Sequence, residues 1–423
     1  MTTVREPKPA QPTVSRYNFA TGVIDGVGWP LGMAFFSTTT LLPAFLLKLH
    51  ASYLLIGLLP ALINLGYLLP GILVAARISR MPVVRPYLFW LGIVERVPLF
   101  LIAALAYSVG TSRPTFLLVA FYALFLIHAV TLGFNQPAYW SVVGKLIPAN
   151  RRGRMFGIAG LLGGILGIGV DPVTHFLLAR AQPGTLDGYA DCFLLAALLI
   201  LVSFLPFAWL RERPGVPAMM DTHKGHYITD LKRVWRSDRG FRRLVMAQLA
   251  FAAWSCAPPF FLPAAVDRLH IGPELVALYT TVNVVSLAFG NLIWGALADK
   301  CGNKVVLIGA SAVMIAGTAI TLFGAGTVGY EYVFALTALG SGGVSIAGFN
   351  VVLEFAPNEA EMSYYLATMN ALTAVPRAVA PIVGGLLATH VGFTPVFVLA
   401  TVCGALTLLS SAAMAEPRRR AAE

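Results

Sequence analysis

The chain has 423 residues, of which 57% are hydrophobic and only 12% charged, against about 25% charged in an ordinary soluble domain. So few charges cannot cover the surface of a soluble protein this long, so most of that surface meets lipid. A net charge of +11 raises nucleic acid as a partner, but the basic residues lie in short segments between apolar runs. Nucleic acid is therefore excluded, and anionic membrane lipid is the partner implied.

Residues 1–18 are polar and Pro-rich (REPKPAQP). They lack the apolar core and cleavage site of a signal peptide, so a cytoplasmic tail is expected, with the first helix kept in the mature protein. Apolar runs then recur at 19–45, 53–77, 87–109, 115–141, 154–179 and 190–210. A polar stretch over 211–241 interrupts them, and the series resumes at 242–267, 274–297, 304–325, 330–355, 361–389 and 393–414. Each run is around 20 residues, about the length that crosses a bilayer as a helix. The runs are continuous rather than alternating, which argues against a barrel. The predicted fold is all-α integral membrane with twelve transmembrane helices. The predicted units are a six-helix half over 19–210, a cytoplasmic linker over 211–241, a second six-helix half over 242–414 and a tail over 415–423. Within the linker, Ile228, Leu231, Val234 and Trp235 fall at helical spacing. That fits an amphipathic helix on the inner membrane face or a solvated connection.

The two halves echo each other. LPAFLLKLH (Leu42 to His50) recurs as LPAAVDRLH (Leu262 to His270). Asn64 and Gly71 recur as Asn283 and Gly290, and Pro148 and Pro172 as Pro357 and Pro381, in the same order. One unit of half the length is thus written twice. Of the 30 basic residues, Lys48, Arg113, Arg180 and Arg268 fall in outer segments and Arg96 and Arg377 within helices. All the others are inner if both termini are cytoplasmic, which sets the expected orientation.

Between the eighth and ninth helices the chain reads GALADKCGNK, Gly295 to Lys304. This resembles the loop signature of the major facilitator superfamily, Gly-x-x-x-Asp-Arg-x-Gly-Arg-Arg/Lys. Gly295, Asp299, Gly302 and Lys304 match, Lys300 replaces an Arg and Asn303 departs. The first-half equivalent, ARISRMPVVR (76–85), has Arg80 where the Asp would stand. PANRRGRMFG (148–157) is similar to the family's basic turn into helix five, and APIVGG (380–385) to its helix-eleven pattern. The resemblance implies two six-helix halves related by an axis along the membrane normal, an arrangement for which this family is a standard example. It also implies a gate in which each half's loop Asp meets the basic start of the opposite half's fifth-position helix. Asp299 is then expected to face Arg151, Arg152 and Arg154. In the other pairing both signs are exchanged, Arg80 and Arg85 facing Glu359 and Glu361.

Charges within lipid need partners or a water-filled cavity. Asp25 lies in helix one, and Glu95 and Arg96 at compatible depth in helix three. Adjacent residues point about 100° apart on a helix, so Arg96 is expected to reach across to Asp25 as a structural clamp, Asp25 being equally a candidate for handling protons. Asp171 and His175 stand at i,i+4 on one face of helix five, a carboxylate near an imidazole, and form a candidate proton-handling pair. Asn64 and Asn283 are expected to face a polar central space, with His128, Gln248 and Arg377 as further substrate-binding candidates. Each of these polar residues also has a plain reading as a helix-to-helix contact.

No GxxxxGK[ST] loop occurs, so ATP has no binding motif here. The four cysteines show neither disulfide nor zinc spacing, and no cofactor is expected. The sequence points to a secondary active transporter of a small molecule, not an enzyme, coupled to protons and with export favoured over uptake. An uncoupled facilitator, a nutrient or sugar permease, and a membrane-embedded enzyme or receptor are the alternatives. A monomer in a bacterial inner membrane is expected.

Overall fold

A computed structural model of the chain describes residues 16–78, 80–147, 149–182, 184–212, 239–324, 326–355 and 359–414. All regular structure among them is helical. The first half contains α1 (Arg16–Ala34), α2 (Leu41–Lys48), α3 (Tyr53–Ile78), α4 (Arg85–Val109), α5 (Pro114–Leu146), α6 (Ala149–Gly167), α7 (Val170–Ala179) and α8 (Asp187–Phe204), which runs into a 3-10 turn, Leu205–Trp209. The second contains α9 (Arg239–Trp254), α10 (Pro258–Leu269), α11 (Pro273–Cys301), α12 (Asn303–Ile320), α13 (Thr327–Phe355), α14 (Glu359–His390) and α15 (Phe393–Ala413). The amphipathic reading of the linker falls outside the described residues.

Nine helices among the described residues are long and apolar enough to cross a membrane, and α6 with α7, bent by 40°, make a tenth span. The other two expected spans are less regular. The second is α3, which carries Pro60 and Pro70 within it. The first, expected to be continuous over 19–45, is broken between Ala34 and Leu41. There the Ser37 hydroxyl bonds Thr39 Oγ1 at 3.0 Å and accepts the Thr39 amide at 3.3 Å, side-chain bonding that competes with the helical ladder. The seventh span breaks at the matching place, between α9 and α10, before Pro258 and Pro259, whose missing amides suit a helix start rather than its interior.

Helix neighbours follow the repeat. In the first half α1 packs on α6 and α8, α3 on α5, and α4 on α5 and α8. In the second, α9 packs on α14 and α15, α11 on α13, and α12 on α13 and α15. Between the halves α3 meets α14, α11 meets α6 and α7, and the short α2 and α10 meet each other.

The apolar cores differ at the two ends. At the end holding α2 and α10 one core joins both halves, with Phe36, Leu41, Phe45 and Ile56 packed alongside Phe260, Phe261, Leu262 and Phe397. At the other end, which carries Arg77, Lys145, Arg151 and Arg239, the cores are separate. One is built on Phe241, Trp294 and Val351 of the second half; the others, on Ile78, Val142 and Phe207 and on Ile147 and Met155, belong to the first. The seam between α6 and α11 parts in the same way. Gly164 and Gly167 lie against Ala288 and Val284, whereas no described residue of another helix comes within 4 Å of where a Cβ would stand on Gly157, Gly160 or Gly295 nearer the basic end. The halves are closed together at one end and parted at the basic end.

Candidate functional site

Within the first half a polar cluster is buried among α1, α4, α5 and α8. Asp25, Glu95, Arg96, His128 and Asn135 are all at most 6% exposed. Glu95 Oε2 accepts a hydrogen bond from Asn135 Nδ2 at 2.9 Å and lies 3.7 Å from Arg96 Nη1. Arg96 donates through Nη1 to the Gly92 carbonyl at 2.6 Å and through Nε to the Ile200 carbonyl at 3.1 Å. Its guanidinium lies over the Phe204 ring, 3.9 Å from the centroid, and 5.7 Å from that of Trp29. Asp25 lines the same cavity as Arg96 and Tyr139, and among the described residues no ion pair joins it to Arg96.

The expected Asp25–Arg96 clamp is thereby corrected. Arg96 folds back along its own helix over Gly92, where a side chain would collide with Phe204 and crowd Arg96. This brings it to its neighbour Glu95 despite the 100° between them. Asp25 stands apart from that pair, in the lining of a cavity it shares with Tyr139. The cluster is incompletely satisfied: Glu95 Oε1, His128 Nε2 and Asn135 Oδ1 are buried without partners. A cavity of about 340 Å³ opens on it, lined by Asp25, Trp29, Glu95, Arg96, Asn135 and Tyr139 among others.

The substrate-binding candidates divide among several places. Asn64, Gln248 and Arg377 share a second cavity of about 360 Å³, together with Phe251 and Trp254. Asn64 Nδ2 donates to the Pro60 carbonyl at 2.8 Å and, across the two halves, to the Arg377 carbonyl at 3.2 Å. Asn283 lines a third cavity of about 210 Å³ with Phe261 and Phe334, and Trp254 lines both this cavity and the second. His128 lines none of the three. It is fully buried, with Nδ1 2.9 Å from the Glu95 carbonyl and its ring beside Trp29, so its reading as a cavity residue gives way to a packing role. Asp171 and His175 are half-buried on α7, away from these cavities.

At the parted basic end no ion pair among the described residues joins Asp299 to Arg151, Arg152 or Arg154. Arg152 instead donates to the Gly144 and Ile147 carbonyls, both at 2.8 Å, capping α5. Arg85 Nη1 donates to the Leu210 carbonyl at 3.1 Å. Arg80 is exposed, and the side chains of Glu359 and Glu361 lie outside the described residues. Sequence reasoning missed Glu212. Its side chain, 1% exposed, accepts the Val84 and Arg85 amides at 2.9 and 2.7 Å and pairs with Lys145 at 3.2 Å. The available signal was a lone acid at the start of a basic linker, beside a helix (α4) with no acid in its first turn. Tyr139 was missed too, since a tyrosine in an apolar run carries no signal of its own. Among the described residues no group of His, Cys, Asp and Glu could hold a metal ion.

Residues 243–423 match the model of the Major Facilitator Superfamily. The multidrug resistance protein MdtG of Escherichia fergusonii is 27% identical over 181 residues, 40% of this chain and 44% of that protein. The chain thus spans under half the length of that relative. A D-xylose-proton symporter superposes with a TM-score of 0.67 at 15% identity, over 96% of this chain and 99% of that one. A bacterial homologue of the human lysosomal transporter Spinster, in an inward-facing and unoccupied conformation, superposes with a TM-score of 0.66 at 14% identity, over 95% and 98%. The chain has the major facilitator fold throughout and the family's sequence over its second half, with no subfamily marked.

Proposed function

From a chain with this fold and this second-half sequence, we propose a secondary active transporter that moves a small molecule by alternating access. The observation that carries the proposal is the asymmetry of the core, one shared core at one end and separate cores at the basic end. With polar cavities facing the seam, rocking the halves closes one end as it opens the other. The positive-inside bias supports a cytoplasmic basic end, so this is the inward-open state of a monomer in a bacterial inner membrane, both termini cytoplasmic.

Proton coupling is proposed at Asp25, a carboxylate that lines the first cavity together with Tyr139. Asp171 and His175 form a second coupling pair on α7. Export is favoured, supported by the multidrug resistance relative. The test is solute flux in proteoliposomes with and without an imposed pH gradient. Asp25→Asn is expected to abolish gradient-driven flux while leaving solute exchange. Flux indifferent to the gradient in the unaltered protein would establish the uncoupled facilitator instead.

A further inference from the structure

The second cavity has a chemical character unlike the first. Among the described residues its lining contains no acidic one, whereas Asp25 and Glu95 line the first. Arg377 lines it from α14, half-buried, yet makes no side-chain hydrogen bond or ion pair among the described residues. Gln248, 4% exposed, has its Nε2 buried without a partner. It fits there because residue 348 is glycine; any Cβ at that position would overlap the amide. Both unsatisfied groups, the Gln248 Nε2 amide and the Arg377 guanidinium, are donors. A guanidinium left without a counter-charge at membrane depth is unfavourable, and its planar fork matches a carboxylate or phosphate.

The rest of the cavity supplies an apolar seat. Phe251 and Trp254 stack at 5.8 Å with 12° between their planes. Trp254 is held in place by a 3.0 Å hydrogen bond from Nε1 to Thr318 Oγ1. A volume of about 360 Å³ lies in the range of small-molecule sites.

We propose that this cavity binds an amphipathic organic anion, its carboxylate on Arg377 and Gln248 and its apolar body against Phe251 and Trp254. The site names the substrate class of the transporter proposed above and rests on that reading, but anion binding is measured without transport. A failed flux assay therefore leaves it standing, and a failed binding assay leaves transport standing.

The test is titration of the purified full-length protein in neutral detergent with 2-naphthoate and with its uncharged analogue 2-naphthamide, following tryptophan fluorescence and thermal stabilisation. The acid is expected to bind at least about tenfold more tightly, as one charge-assisted hydrogen-bonded contact supplies. Arg377→Gln should remove that preference and Arg377→Lys should keep part of it. Gln248→Leu, which removes the second donor without touching the charge, should weaken the acid while leaving part of its preference over the amide. Equal binding of acid and amide, or a preference that survives in Arg377→Gln, overturns the proposal. A lipid phosphate is the other source of an anionic head on an apolar body. Nanodiscs of phosphatidylcholine with and without phosphatidylglycerol separate the two. Displacement of bound naphthoate by phosphatidylglycerol below its bulk membrane content overturns the free-anion reading, and binding indifferent to that lipid supports it.

Discussion

His50 and His270 adopt the same left-handed backbone conformation, with φ of 56° and 53°, at the ends of α2 and α10. The His50 amide bonds the Leu47 carbonyl and the His270 amide the Val266 carbonyl, both at 3.0 Å. The histidine shared by the two LPA…LH segments thus marks a backbone requirement, a helix stop that places the following chain. Left-handed backbone costs an L-residue roughly 1–2 kcal/mol, and glycine avoids most of that. His50→Gly and His270→Gly are therefore expected to match or exceed the unaltered protein in thermal unfolding. A β-branched His50→Val, less tolerant of this backbone than histidine, should lower stability. Equal tolerance of valine and glycine would mean that the imidazole, not the backbone, is what the repeat preserves.

Arg96 is a counter-charge before it is anything else. Arg96→Gln leaves Glu95 buried without compensation, which is expected to cost about 3–5 kcal/mol. Adding Glu95→Gln should recover most of that, because Asn135 Nδ2 still has an acceptor in the amide oxygen. The melting temperatures of the single and double variants decide it; a double variant no better than Arg96→Gln would locate the loss in the contacts with Phe204 and Ile200.

Asn64 ties α3 to α14 through the Arg377 carbonyl. Asn64→Leu is expected to reduce flux by about tenfold, by the loss of one hydrogen bond of about 1 kcal/mol together with a polar cavity wall, while the fold persists. Asn283→Leu lacks a comparable bond between the halves and acts only through its own cavity. Spin labels at the closed end should report a wider distance in Asn64→Leu than in Asn283→Leu. Identical distance distributions would remove the tie from the gating.

The charges at the basic end are proposed to lock when that end closes. Arg152 and Arg85 already bond carbonyls of their own half, which leaves Arg151 and Arg154 for Asp299. Exposed pairs are worth about 0–1 kcal/mol each, enough to bias a balanced equilibrium. Asp299→Arg is expected to raise the inward-open population, and so is charge reversal at Glu359 and Glu361. Reversal of Arg80 and Arg85 should rescue the second but not the first. Spin-label distances across the basic end that do not respond to either reversal would leave these residues as topology signals alone.

Glu212 is expected to matter for stability rather than flux. It caps α4 through two amides and holds Lys145 of α5. Glu212→Ala should lower stability by about 1.5–3 kcal/mol, the range for hydrogen bonds to a charged group. Gradient-driven flux per folded molecule should be unchanged.

The helical membrane fold, its repeat and its family resemblance were legible in the sequence because lipid makes each of them a one-dimensional property. A span must be apolar over a bilayer thickness, and a duplicated unit repeats its prolines, asparagines and left-handed histidines in order. The breaks at Ser37 to Thr40 and before Pro258 were less legible, since helix-interrupting residues are tolerated within apolar runs when neighbouring helices satisfy the backbone. The pairing of the charges was decided only in three dimensions. Helix periodicity alone turns Glu95 away from Arg96, but a long guanidinium folding over Gly92 removes that separation. Asn64 and Asn283 are equivalent in the repeat, yet they line different cavities, with Trp254 in the wall of each. A repeat sets equivalent positions, while the large side chains packed between the halves determine which positions share a space.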